Sequence, residues 1–326
     1  MSYYSNDSFD STLQQDQADE ETMKLANAKL RDDILSNDPV LVKHAESVVD
    51  DFTRTKMRED GVFRKVMPAI PISDSDLNRD VSDDRPIKIV DMEPDSPAAR
   101  TIPFNELPDS YYMNADRYKV HFTRIVTPKF TKDVELLRTW HMDLRQVLSD
   151  NSIKDMLAEE DSNFFTAVNA CVGSAGSTVA TSGTVQHKQI AGGITRDTLF
   201  DGLAVLPSTP SNLNTHCIVL NNLTILKVAK LTRNEMGGDI SEEIMRNGWT
   251  LSDFMGVKWL VTIKKGLVAT DEMYHFADPK FMGKHYELEP VTMYIRRKAW
   301  FVEFFNYETI GATIGNTSAV ARVAYV

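Results

Sequence analysis

The distribution of apolar positions divides the chain into stretches of different period. From Glu21 to Phe52 the apolar residues Met23, Leu25, Ala28, Leu30, Ile34, Leu41, Val42, Val48 and Val49 fall at partly helical spacing, after twenty polar residues rich in Ser, Asp and Gln. This predicts an arm with intermittent helix that contributes no core of its own and orders only where something else, such as a neighbouring subunit, covers it. Residues 62–130 then carry Pro68, Pro71, Pro86, Pro94, Pro97, Pro103, Pro108 and Pro128, a density that excludes long helices.

Two runs in that stretch alternate as strands do. PIKIVDM, Pro86 to Met92, sets Ile87 and Ile89 against Lys88 and Val90, and YKVHFTRIV, Tyr118 to Val126, sets Tyr118, Val120 and Phe122 against Lys119, His121 and Thr123. The long connection between them, Glu93 to Arg117, predicts a two-stranded projecting ribbon with an extended tip. Such a ribbon is marginal in isolation and is expected to lie on another chain.

At Thr131 the period changes to 3.6. Val134, Leu137, Trp140, Leu144, Val147 and Leu148 form one stripe, with Thr131 and Asp133 as cap and first-turn acid. The pattern predicts a break near Ser149-Asp150-Asn151, resumption through Met156 and Leu157, and another apolar group at Phe164, Phe165 and Val168. The segment 173–193, GSAGSTVATSGTVQHKQIAGG, offers little to pack and is read as a mobile surface loop. Short alternating elements follow: helices over 195–203 and 223–231, and strands at HCIVLNN from His216, near Lys258 to Ile263 and from Met273 to Phe276. Tyr294, Ile295, Trp300 to Phe305 and Val320 to Val326 make the end strongly β, with Gly311, Gly315 and Asn316 read as turn-formers.

Charge sharpens this division. The chain has 326 residues and a net charge of −11, and residues 1–60 hold 14 acids against 7 bases. An acidic balance argues against nonspecific nucleic-acid binding by a basic face. Two cysteines, Cys171 and Cys217, fall short of a disulfide framework or a four-ligand zinc site and fit a reducing compartment. No stretch approaches a membrane span of roughly 20 apolar residues, and MSYYSNDSFDSTLQQ lacks the basic and apolar regions of a signal peptide, so a cytoplasmic product is expected.

Candidate chemistry is sparse. Gly173-Ser-Ala-Gly176-Ser lacks the Lys-Ser/Thr pair of a P-loop, and no dinucleotide fingerprint occurs. Glu272, His275, Asp278, His285 and Glu287 are the densest set of metal-ligand types, at a spacing that matches no ligand motif, and read as a solvated strand and turn. His141 and Asp143 diverge on a helix, and His216 and Cys217 sit on opposite faces of a strand. Cys171 with His187 has no activating context and reads as a core thiol. Glu159-Glu160 and Glu242-Glu243 read as solvated helix faces, and Arg296-Arg297-Lys298 as an edge guard or ion-pairing contact. The expectation is no catalytic residue, no metal and no cofactor.

The order of arm, ribbon, long helix and mixed β-rich domain, with REDGVFRKVMPAI at 58–70, FTRIVTPKFTKDVELL at 122–137, HCIVLNNLTILKVAKL at 216–231 and YHFADPKFMG at 274–283, resembles the HK97-fold major capsid proteins of tailed bacteriophages. The resemblance implies an α+β, HK97-like capsid fold with N-terminal arm, extended E-loop β-ribbon, spine helix, and peripheral (P) and axial (A) domains. Its divisions here are an arm at 1–60, a ribbon region at 61–130, spine helix and first part of the P-domain at 131–228, A-domain at 229–284 and a returning β segment at 285–326. Within these, the E-loop is about 84–119 and the spine helix 132–156. Some members crosslink an E-loop lysine to a neighbour's asparagine; Lys88 lies in the ribbon, but nothing in the sequence licenses that bond.

The resemblance implies a shell of hexamers and pentamers of this chain enclosing double-stranded DNA without gripping it, with portal, scaffold and decoration proteins as further partners and no membrane. Its location is a virion capsid assembled in the host bacterial cytoplasm. An encapsulin-like nanocompartment, another virion component such as a tail or baseplate protein, and an unrecognised enzyme stay open as alternatives.

Overall fold

The computed structural model describes residues 25, 28–36, 38–47, 61–80, 85–92, 101–104, 106–108, 110, 117–138, 144–179, 183–228, 230, 253–254, 256–262, 264 and 266–326. They form two compact units, one from residues 1–61, 124–160 and 289–309, the other from 62–123, 161–288 and 310–326. Three long elements supply residues to both: helix α5 (Leu144–Val172) and strands β12 (Gly283–Lys298) and β13 (Phe301–Ile314).

In the first unit, β12 and β13 are a hairpin that turns at Ala299 and Trp300, with Ala299 in the left-handed region at φ 54°. Alternation buries Val291, Met293 and Ile295 on one strand and Val302 and Phe304 on the other. β6 (Phe130–Asp133) extends the sheet antiparallel to β13, Phe130 opposite Phe304, and β5 (Thr123–Val126) also joins β13. Helices α1 (28–35) and α2 (39–47) cover this sheet: Leu30, Ile34 and Ala45 pack in one cluster with Met293, Ile295, Val302, Phe304 and Val134. The Glu46 carboxylate accepts a hydrogen bond from Ile295 N at 2.9 Å, and the Arg297 guanidinium donates to Leu35 O at 2.7 Å. The arm expected to be without a core is therefore core over 28–47. Leu30, Ile34 and Ala45 suffice because they land on the hairpin's inner face, while Val40 and Leu41 stay exposed.

Asp133, not Thr131, starts the helical stretch: its carboxylate accepts from Glu135 N at 2.8 Å, at the head of α4 (Val134–Arg138), while Thr131 lies in β6. The predicted break at 149–151 does not occur. α5 runs through it for 29 residues, about 43 Å at 1.5 Å per residue. Three residues of indifferent helix propensity cost a fraction of a kcal/mol each, whereas Ile153, Met156, Leu157, Phe164, Phe165 and Val168 are all buried along the same helix.

The second unit is built on a mixed six-stranded sheet in the order β7 (His187–Ile190), β14 (Val320–Tyr325), β11 (Glu272–Phe276), β8 (Cys217–Asn221), β10 (Val257–Thr262), β9 (Asp253–Phe254). β8 and β10 are parallel, Cys217 opposite Lys258, and every residue of β8 is buried, as a central strand covered on both faces requires. On one face Tyr274 and Phe276 meet Phe165 and Phe164 of α5, at ring-centroid distances of 5.0 and 5.6 Å, and Phe63 of α3 (Val62–Val66) stacks 4.7 Å from Phe164. On the other, α6 (Arg196–Leu203) lies with Leu199 buried, its amino end capped by Thr195. α7 (Asn222–Val228) follows β8 directly, and α8 (Pro279–Met282) is a single turn capped by Asp278.

The glycine- and serine-rich segment does not stay a surface loop. It returns as β7, parallel to β14, with Gln186 buried and its amide donating to Thr317 O at 2.5 Å and Val320 O at 2.6 Å. Gly311 is not a turn-former but a residue inside β13, where a Cβ would stand 3.0 Å from His121 O and 3.0 Å from the Phe122 ring. Close approach of backbone, not φ, requires glycine there.

Candidate functional site

The ribbon is the feature the sequence singles out for contact with a neighbour. β3 (Pro86–Asp91) and β4 (Arg117–His121) pair antiparallel, Ile87 opposite His121 and Asp91 opposite Arg117, and the outer rung is tied by an Arg117–Asp91 ion pair at 2.7 Å. It has a third strand that the sequence pattern did not show, β2 (Asn78–Arg79), pairing with β3 through two residues, too short to display a period. The predicted second strand also divides: β4 stays in the ribbon, and the chain passes through Phe122 into β5.

The expectation that the ribbon lies wholly on another chain is corrected at its root. Val90, Tyr118, Val120 and Phe122 pack with Ile72, Leu77, Tyr286 and Leu288 of the same unit, and burial holds the Tyr118 hydroxyl above its ordinary pKa. Lys119 meets the buried Asp80 at 3.0 Å, and Lys88 lies 3.7 Å from Asp76. Further out, burial ends. In the connection between β3 and β4, Phe104 is 101% exposed and Leu107 86% exposed. Both are large apolar side chains presented to solvent.

The candidate chemical groups are separated and put to structural use. Glu272 holds Arg322 in a fork, with nitrogen to oxygen distances of 2.7, 2.8 and 3.0 Å. Asp278 accepts from Lys280 N at 2.9 Å, and Glu287 faces Arg64 at 3.8 Å. His285 is buried against the Phe63 ring at 4.2 Å, its Nδ1 3.1 Å from Met67 O. His275 is fully buried in β11, and desolvation lowers its pKa to about 4. This set is a distributed set of strand and cap residues, and His275 and His285 overturn the expectation of a solvated face. Among the described residues no group of three or more His, Cys, Asp or Glu converges as metal ligands do.

Cys171 is half-buried, and burial raises its pKa, the opposite of what a nucleophile needs; His187 directs Nδ1 to Gly173 O at 3.2 Å. Cys217 is buried with its thiol pushed up to about 12 by desolvation. Glu160 is buried, contrary to the solvated-face reading, while Glu159 is exposed. Asp143, His141 and Glu242-Glu243 lie outside the described residues. Of the basic run, Arg297 donates to Leu35 O, and Arg296 and Lys298 are exposed.

No family model matches the chain, and no curated protein matches it. Solved structures do. The mature capsid of bacteriophage PhiM1 superposes with a TM-score of 0.54 at 9% identity, covering 82% of this chain and 87% of that one. The fold is the HK97-like capsid fold. The capsid of cyanophage P-SCSP1u matches equally, at a TM-score of 0.54, 10% identity and coverage of 82% and 88%. A virus-like particle from Pyrococcus furiosus shares the capsid fold at a TM-score of 0.53 and 14% identity, over 85% of this chain and 98% of that one. At such identities the capsid fold is common while side-chain chemistry is not, so any contact surface of this chain has to be read from its own residues.

Proposed function

We propose that this chain is the major subunit of a capsid shell, closing as hexamers and pentamers into an icosahedral head around double-stranded DNA. The observation that carries the reading is agreement over 82% of the chain with the fold of capsid subunits from two phages, together with a ribbon whose connecting segment presents Phe104 and Leu107 to solvent. A thin shell subunit cannot bury such an extension in itself, and neighbours exchange their extensions in large obligate interfaces. The acidic balance, −11 overall, suits a container that encloses a polyanion without gripping it. In this reading the chain acts as structure and not as an enzyme, assembles in the host bacterial cytoplasm, resides in the virion, and meets portal, scaffold and decoration proteins.

The divisions proposed are the arm at 1–60, the ribbon region at 61–130, the spine helix with the first P-domain segment at 131–228, the A-domain at 229–284 and the returning segment at 285–326. A second reading, an encapsulin-like compartment, is favoured by one observation, the match to the Pyrococcus particle. Negative-stain imaging of the expressed chain tests the proposal. Closed shells that take up DNA with the phage's packaging partners support it. Closed shells loaded with a protein cargo decide for the compartment, and the absence of any particle across salt and concentration refutes both.

A further inference from the structure

His275 stands between Tyr274 and Phe276 on β11, so alternation turns it away from α5 and toward the face that α6 covers. Its ring is 1% exposed, and among the described residues neither ring nitrogen has a hydrogen-bond partner. The buried Tyr325 hydroxyl of β14 has none either. The two side chains meet beneath Gly202 of α6. A Cβ placed there would stand 2.6 Å from the Tyr325 oxygen and 3.6 and 3.7 Å from Nε2 and Cε1 of His275, so the helix backbone itself closes the cluster. Buried polar atoms without partners cost stability, and these three are grouped under one short helix.

The surroundings suit a neutral imidazole. Ala321 of β14 and Ile218 of β8 stand opposite His275, with His216 at the head of β8, and β7, two strands away, sets Lys188 opposite Val323. From α6 the charged residues are Arg196, Asp197 and the exposed Asp201, which acts on the Tyr325 hydroxyl. Asp271, whose carbonyl accepts from Tyr325 N, has its carboxylate on Lys227 at 2.6 Å. Among the described residues none of these charges enters the ring's titration, which desolvation alone pushes down. Protonation turns both nitrogens into donors around a charge that nothing on this face accepts. Water relieves that strain, and α6 is the thin side of the cover. It has eight residues, its buried side chains are those of Thr198 and Leu199, and Gly202 contributes none. Reaching the ring from the opposite face instead means parting Tyr274 and Phe276 from the aromatic side chains of α5.

We propose that α6 is an acid-released latch: uptake of a proton by His275 lifts Arg196–Leu203 from β11 and β14 and admits water to the His275–Tyr325 cluster, while the six-stranded sheet stays folded. The proton comes from solvent, and α6 reseats as the pH rises and the ring returns to neutral.

Hydrogen–deuterium exchange of the full-length chain, corrected for the intrinsic pH dependence of amide exchange, tests this by comparing α6 with β8 and β11. Between pH 7 and pH 4 the opening constant of α6 should rise on the order of 100-fold, the ratio set by a ring that titrates at 6.5 when open and at about 4 when closed. β8 and β11 should stay protected. His275→Gln, or the apolar His275→Leu, should hold the α6 opening constant level across that range, and Asp201→Asn should leave the rise intact. Gly202→Ala, which drives a methyl against the Tyr325 oxygen, should open α6 already at pH 7. Equal protection of α6 in the unmodified chain at pH 7 and pH 4 overturns the proposal. So does a loss shared by β8 and β11, which is unfolding of the sheet, a loss that persists in either His275 variant, or one that vanishes in Asp201→Asn.

Discussion

His275 is a residue whose surroundings set a pH dependence. Its ring is fully buried, and desolvation lowers its pKa from 6.5 to about 4. A depressed histidine pKa means that the unfolded chain takes up the proton first, so stability is complete above about pH 6.5 and falls as pH drops toward 4. At 1.36 kcal/mol per unit the loss across that window is about 3 kcal/mol. Urea midpoints measured from pH 7 to pH 4 should decline, and His275→Gln, which cannot take up the proton, should flatten the decline; an identical slope in the variant would remove His275 as its source. Gly311 is the corresponding steric case. Gly311→Ala forces a methyl to 3.0 Å from His121 O and the Phe122 ring, and should cost about 1–3 kcal/mol in the same assay, whereas Gly256→Ala, with open space around it but φ at 77°, tests backbone strain alone.

Among the elements, legibility followed how much of each one's stability lies in its own side chains. β8 was readable because CIVLN is buried on both faces, and α6 because Thr195 caps a short amphipathic turn. β7 was not, since HKQI is held by backbone pairing to β14 and by the Gln186 amide, neither of which leaves an apolar period. β2 is two residues long and has no period to show. α1 and α2 carry the pattern that was seen, but their role as core came from the β12–β13 face that receives them, which lies some 250 residues further along the chain. The candidate site divided the same way: the ribbon pairing was legible from alternation, while its packing on Tyr286 and Leu288 was not.

The arm helices make a direct prediction at this scale. Removing residues 1–24 leaves Leu30, Ile34 and Ala45 in place and should leave the thermal midpoint within a few degrees of the full chain. Removing residues 1–47 uncovers Met293, Ile295, Val302 and Phe304 together, and should lower the midpoint sharply or yield insoluble protein. Equal midpoints for the two deletions would contradict the assignment of α1 and α2 to the core.

For the whole molecule, the proposed shell assigns folding and assembly to different residues. Phe122→Ala, at the buried root of the ribbon, should cost about 3–5 kcal/mol of stability. Phe104→Ser with Leu107→Ser, at highly exposed positions, should leave the thermal midpoint unchanged while abolishing particles, because among the described residues those side chains are presented to solvent and bury little apolar surface. Sedimentation velocity of the unmodified chain, taken up in concentration at moderate salt, measures the central claim most directly. The account predicts that the 36.8 kDa chain converts into a discrete fast-sedimenting boundary of megadalton mass. A single boundary at the mass of one chain, unmoved by concentration, would contradict it.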